Sequence, residues 1–246
     1  MALFQSNNPV LKQSVFDKVA HSEGETMSIR GTVNKMSFLL IMLMAAAVFS
    51  YGEFLRGSSN VLPLVIGGAI GGFVLAMIII FKKEWSGYLA PAYAIAEGLF
   101  LGAISAMFNA QYQGIVLQAV GLTFGTFIAM LALYRFGVIR ATERFKTIVM
   151  TATLGIAVFY LIALVLRLFH IEMPMIHSSG TIGIIFSLVV VSIAALNLIL
   201  DFDMIEQGAA QGAPKYFEWY ASFGLLVTLV WLYLEILRLL SKLNRR

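Results

Sequence analysis

Apolar residues fall in seven long runs along the chain, at roughly 36–52, 61–81, 88–108, 115–134, 147–169, 180–207 and 215–240. A helix crosses about 30 Å of hydrocarbon with about 20 mostly apolar residues rising about 1.5 Å each, so every run meets or approaches the length of a membrane span. The polar connections reach only about a dozen residues, too short for a soluble domain. The pattern therefore predicts an all-α membrane protein. A seven-helix domain occupies 36–241, between a polar N-terminal tail, 1–35, and a short basic C-terminal tail, 242–246. The first 35 residues hold no apolar run of signal-peptide length and no small-residue cleavage pattern, so the tail is expected to remain on the mature protein.

Composition narrows the class. Of 246 residues, 60% are apolar and 12% charged, with a mean hydropathy of +0.87. Soluble domains are about 45–50% apolar and about 25% charged, which excludes a water-soluble fold. Seventeen Lys and Arg stand against 13 Asp and Glu, spread between the apolar runs with no nucleic-acid-binding block. Absence of cysteine excludes disulfides, thiolate chemistry and a Cys-based zinc site.

Lys and Arg in the connections set the orientation. Eleven fall on one side: Lys12, Lys18, Arg30, Lys35, Lys82, Lys83, Arg135, Arg140, Arg144, Lys146 and Lys215. Six fall on the other, four of them at the very end: Arg56, Arg167, Arg238, Lys242, Arg245 and Arg246. The internal loops favour seven spans with the N-terminus inside. The basic tail pulls instead toward an even number of crossings or a re-entrant last segment. Seven spans is the reading taken here.

Glycine is used in membrane fashion. Gly67 and Gly71, Gly68 and Gly72, Gly98 and Gly102, and Gly121 and Gly125 are small-xxx-small pairs, a spacing that lets a neighbouring backbone come close. In the third span the stripe runs Ala94, Gly98, Gly102, Ala106, predicting a tightly packed inner helix.

Ionisable groups inside a bilayer are costly and are functional candidates by default. Glu97 lies near the middle of the third span, and Asp201 follows the apolar run Ile182 to Leu200, with Asn197 four residues earlier on the same face. Asp203 points elsewhere. Glu97 and Asp201 each fall about 10–15 Å from the inner end and are expected to share one layer. Glu218 opens the seventh span just below it, while Glu235 lies about 25 Å higher and meets Asp201 only if that span is broken.

Plainer readings stand beside these. Glu235 and Arg238, spaced i, i+3, suit an interfacial ion pair, and Glu218, Asp203 and Glu206 suit solvated span ends. If two carboxylates do share a buried site, proton and cation binding there become coupled. Oxygen donors favour hard cations such as calcium, with Asp201 and Glu97 the expected ligands. Enzyme signatures are poor. His170 and His177 flank Glu172 without an HExxH pair, Ser178, Ser179 and Gly180 form no nucleophile elbow, and no second span carries an aspartate to match Asp201 for an intramembrane protease. No catalysis and no cofactor beyond a calcium ion are expected. Trp85, Trp219, Tyr88, Tyr216 and Tyr220 fit an interfacial aromatic belt.

SNNPVL and RGTVNK ahead of the first span, AEGLFLGAIS in the third, and LDFDMIEQGA followed by EWYASFGLLVTLVWLYLEILRLL over the last two make the chain resemble the YccA and Bax inhibitor-1 family, also called the transmembrane Bax inhibitor motif family. The similarity is greatest to its bacterial Bax inhibitor-1-like branch. It covers nearly the whole chain. The resemblance implies a bundle with the last helix at its centre, a multi-pass location in the inner (plasma) membrane, and a pH-sensitive calcium leak governed by acids on the sixth and seventh helices.

Asp201 matches the sixth-helix aspartate. For the seventh-helix acid, LYLE nominates Glu235, whereas matching the helix ends puts Thr228 there; the 34 residues from Asp201 to Glu235 exceed the family's usual spacing. Glu97 or Glu218 then stands as an alternative partner. The second helix has no internal basic residue like the one that helps close the pore in some relatives; Lys82 and Lys83 lie at its end. The resemblance equally implies a second role, a non-conducting regulator that binds other membrane proteins, including a membrane protease.

Overall fold

The computed structural model describes residues 25–59, 61–169 and 180–245, with only the backbone at 167 and 168. Among these residues seven helices are long and apolar enough to cross a membrane. They are α1 (Ile29–Leu55), α2 (Val61–Phe81), α3 (Ser86–Gln111), α4 (Ile115–Arg135), α5 (Glu143–Leu168), α6 (Thr181–Ala210) and α7 (Phe217–Asn244), with a 3-10 turn at Lys83–Trp85 before α3.

The last helix is the axis of the bundle. Helices α1, α3, α4 and α6 pack directly on α7, while α2 lies outside on α3 and α5 outside on α6. Leu226, Leu232 and Leu237 of α7 are among the largest fully buried side chains, whereas α5 exposes Ile148, Leu154 and Leu161. In a membrane such exposed apolar side chains meet lipid rather than water. Four helices thus pack closely on the central last helix, and α5 reaches it through the Tyr160 side chain.

Backbone proximity holds α3 against α1. A methyl group at Gly98 would collide with the Leu43 carbonyl oxygen, and one at Gly102 with that of Ala47. Ala94, Gly98, Gly102 and Ala106 are all buried, so the small stripe is the contact face of an inner helix. Gly68 serves the α2–α3 contact in the same way, against the Ala96 carbonyl, and Gly72 makes room for the Glu97 carboxylate. Gly67, Gly121 and Gly125 have open space around them.

Two span ends differ from the apolar runs. Helix α1 begins at Ile29, seven residues before the first apolar run, because Ser28 caps it by accepting from the Gly31 N–H. Helix α7 runs unbroken to Asn244 and carries Lys242 inside the bundle. At the α6–α7 turn, Gly212 at φ 66° reverses the chain. Residues 213–215 then pair with the strand-like Glu25–Met27 segment: the Met27 N–H donates to Ala213 O at 2.7 Å and the Lys215 N–H to Glu25 O at 3.0 Å.

Candidate functional site

Three acids punctuate the central helix and its neighbour at three depths. Glu218, in the first turn of α7, is fully buried. Its Oε1 accepts from the Ser28 backbone N–H at 2.8 Å and the Ser28 hydroxyl at 3.0 Å, while Lys35 forms an ion pair with Oε2 and Lys215 stands at 3.5 Å. A carboxylate is thereby set at the N-terminus of α1, where the helix dipole favours negative charge and the first turn supplies no acid of its own. Ser222, one turn on, donates to Thr32 O at 2.9 Å. Glu218 is a clamp between the first and last spans, not a solvated span end.

Asp201 stands about 14 Å from the end of α6, and Thr228 about 17 Å along α7, so the two face each other at one level. The Thr228 hydroxyl lies beside the Asp201 carboxyl group and donates to Gly224 O at 3.3 Å. Gly224 leaves room beside Asp201 Oδ1. The second carboxylate oxygen, Oδ2, is buried without a hydrogen-bond partner. Thr228 thus occupies the seventh-helix position opposite Asp201, as matching of the helix ends implied.

Glu235 goes elsewhere. It is 2% exposed and lies about 27 Å along an unbroken helix, too far along to reach Asp201. Arg238 donates to it at 2.9 and 3.1 Å, and Tyr160 of α5 donates to it at 3.0 Å while accepting from Arg238 at 2.6 Å. The ion pair expected from the i, i+3 spacing is present, buried and bridged by Tyr160. One turn on, Lys242 donates to Gly183 O at 2.9 Å and Ser187 Oγ at 2.8 Å on α6, and Arg245 donates to Tyr112 at 2.8 Å. Internal partners thus engage much of the C-terminal basic cluster that argued against a seventh crossing.

Glu97 is at a similar depth to Asp201 but on another flank. It sits about 17 Å into α3 with its carboxylate in the notch left by Gly72 of α2; a methyl group there would stand 2.7 Å from Oε2. Glu97 and Asp201 share a level but no site, since α3 and α6 flank the central helix rather than packing closely on each other. Asn197, four residues before Asp201 on the same side of α6, donates to Thr153 of α5 at 2.7 Å, while Asp201 lies beside Thr228 of α7. Asp203 pairs with Lys146 at 2.8 Å and Glu206 accepts from Tyr134.

Among the described residues no group of three or more His, Cys, Asp or Glu side chains is placed to hold a metal ion. Calcium takes six to eight oxygen ligands, so Asp201 and Thr228 form at most part of a coordination shell. His170, Glu172 and His177 lie outside the described residues. Aromatic rings at the basic end carry cations: Lys35 stands over Trp219, Lys82 over Trp85 and Lys83 over Tyr220.

Sequence reasoning passed over Ser28, Lys35, Tyr160 and Lys242. Ser28 had a usable signal, a capping residue just before the first helix. The others gave none, because their partners lie 183, 75 and 55 residues away.

Searches of curated proteins and of solved structures return no match. The family model described as Bax inhibitor 1 like matches residues 8–245, nearly the entire chain. With seven membrane-length helices around a buried last helix, the chain belongs to the Bax inhibitor-1-like family.

Proposed function

We propose that the protein is a pH-sensitive cation pathway, with calcium the expected ion, in which α6 and α7 form the gate at Asp201. The observation that carries this reading is the buried, unpartnered Oδ2 of Asp201 beside Thr228. An ionised carboxylate in a low-dielectric interior is costly unless each oxygen finds a partner, and a proton or a cation can serve. Exchange of one for the other changes the charge between two closely packed helices and biases their separation. Glu218 and Glu235, already bonded to cations, hold the two ends of α7 while the middle responds. We place the chain in the inner membrane with the N-terminus cytoplasmic, in keeping with the excess of Lys and Arg at that end, and assign it no catalysis.

The test is calcium influx into liposomes containing the purified protein, across about pH 5–8, for wild type, Asp201→Asn and Thr228→Val. Flux whose pH response is flattened by Asp201→Asn supports the reading. Flux no higher than in empty liposomes at every pH overturns it. A second reading, a non-conducting regulator that binds other membrane proteins, is favoured by Gly121 and Gly125, whose open faces on α4 would admit a partner helix. It predicts silent liposomes together with a cellular effect that disappears when the partner is removed.

A further inference from the structure

A lateral crevice between α1 and α4 is used by nothing described above. Its larger chamber, about 860 Å³, opens at the basic end and is walled by Met36 and Leu40 of α1, Phe124 and Phe127 of α4, and Leu225 and Leu229 of α7. From Ile29 at the mouth to Leu40 the chamber follows eleven residues of α1, about 16 Å, close to the depth of one bilayer leaflet. A second, almost wholly apolar chamber of about 270 Å³ continues from Leu40, Phe124 and Leu229 toward the opposite face. A polar mouth leading into a one-leaflet apolar slot has the dimensions of a single phospholipid.

Charge at the mouth identifies the lipid class. Arg135 and Arg140 line it, and among the described residues neither side chain forms an ion pair or a hydrogen bond. The two carboxylates there are engaged, Asp203 by Lys146 and Glu206 by the Tyr134 hydroxyl. Lys146, beside the mouth, pairs with Glu143 at 3.2 Å as well as with Asp203, so the charges without a partner at the mouth are the two guanidinium groups. Guanidinium groups match phosphate oxygens bidentately, and two of them unpaired at one mouth, beside carboxylates already engaged, favour a headgroup that brings no cation of its own. Beside the arginines, Phe136 and Val138 are 81% and 69% exposed, as suits a loop seated at the bilayer interface.

We infer that the crevice between the first and fourth spans is a binding site for one anionic phospholipid, its phosphate held by Arg135 and Arg140 and an acyl chain lying against Leu40, Phe127 and Leu229. Asp201 is not among the residues that line the site, and lipid retention is read without any measurement of flux.

Native mass spectrometry of the full-length protein in mild detergent, with dioleoylphosphatidylglycerol or dioleoylphosphatidylcholine added, tests this. Wild type is expected to retain one phosphatidylglycerol in preference to phosphatidylcholine, and the exposed double variant Arg135→Gln/Arg140→Gln to lose about fivefold or more of that retention. Ser37→Trp, which fills the exposed wall of the slot, is expected to reduce retention with both arginines present. Lys82→Gln/Lys83→Gln, at the same end of the bundle but outside the crevice, is expected to retain the lipid as wild type does. Equal retention of the two lipids by wild type overturns the site. Equal loss in the two double variants reduces it to a general basic surface, and no effect of Ser37→Trp removes the acyl slot, so either result also overturns the proposal.

Discussion

Glu218 and Asp201 are both carboxylates set against the central helix, and they differ in how their oxygens are met. Glu218 has a lysine, a backbone N–H and a hydroxyl on its two oxygens, and joins the first span to the last. Asp201 has a threonine hydroxyl beside its carboxyl group and no hydrogen-bond partner on Oδ2. Burial alone therefore does not separate a structural acid from a responsive one; satisfaction of its oxygens does. A fully partnered carboxylate stabilises its surroundings, and removing it leaves the partners stranded. An incompletely partnered one costs stability and is retained for another reason, consistent with the pattern of functional acids in membranes.

The largest expected effect tests the Glu218 side. Glu218→Ala strands Lys35 and uncaps the clamp on α1, and should cost about 3 kcal/mol, read as a fall in Tm during thermal unfolding in detergent. Asp201→Asn should behave oppositely, leaving Tm unchanged or raising it by the equivalent of about 1–2 kcal/mol while flattening the pH response of flux. A large fall in Tm for Asp201→Asn would remove the distinction between the two acids. Thr228→Val removes the hydroxyl beside Asp201 together with its bond to Gly224 O and should cost about 1 kcal/mol, with an altered pH response of flux as the sharper readout. Glu97→Gln should be the mildest, within about 0.5 kcal/mol of wild type and without effect on flux, because Glu97 lies on the α2–α3 flank away from Asp201. An Asp201-like loss of pH response in Glu97→Gln would show that the two flanks communicate.

Much of the fold was legible because membrane crossing is a local constraint. A run of about 20 apolar residues forms a span whatever its neighbours do, since its backbone polar groups must be satisfied within the helix. The small stripe from Ala94 to Ala106 likewise announced an inner helix, now seen against the Leu43 and Ala47 carbonyls. Depth could also be read by counting residues, which placed Glu97 and Asp201 at one level. The direction in which each side chain points around the bundle could not be counted.

The sequence by itself determined seven helices, a basic end and the levels of the buried acids, since each depends only on residue type and a rise of about 1.5 Å per residue. Tertiary structure alone decided which acids have partners. It placed Thr228 rather than Glu235 opposite Asp201, tied Glu235 to Tyr160, brought Glu218 to the start of α1 and buried Lys242 against Ser187. Those pairings join residues far apart in the chain, and they depend on how seven helices rotate about their own axes to bring small faces together. Periodicity along any one helix leaves that rotation open, and packing against the others fixes it.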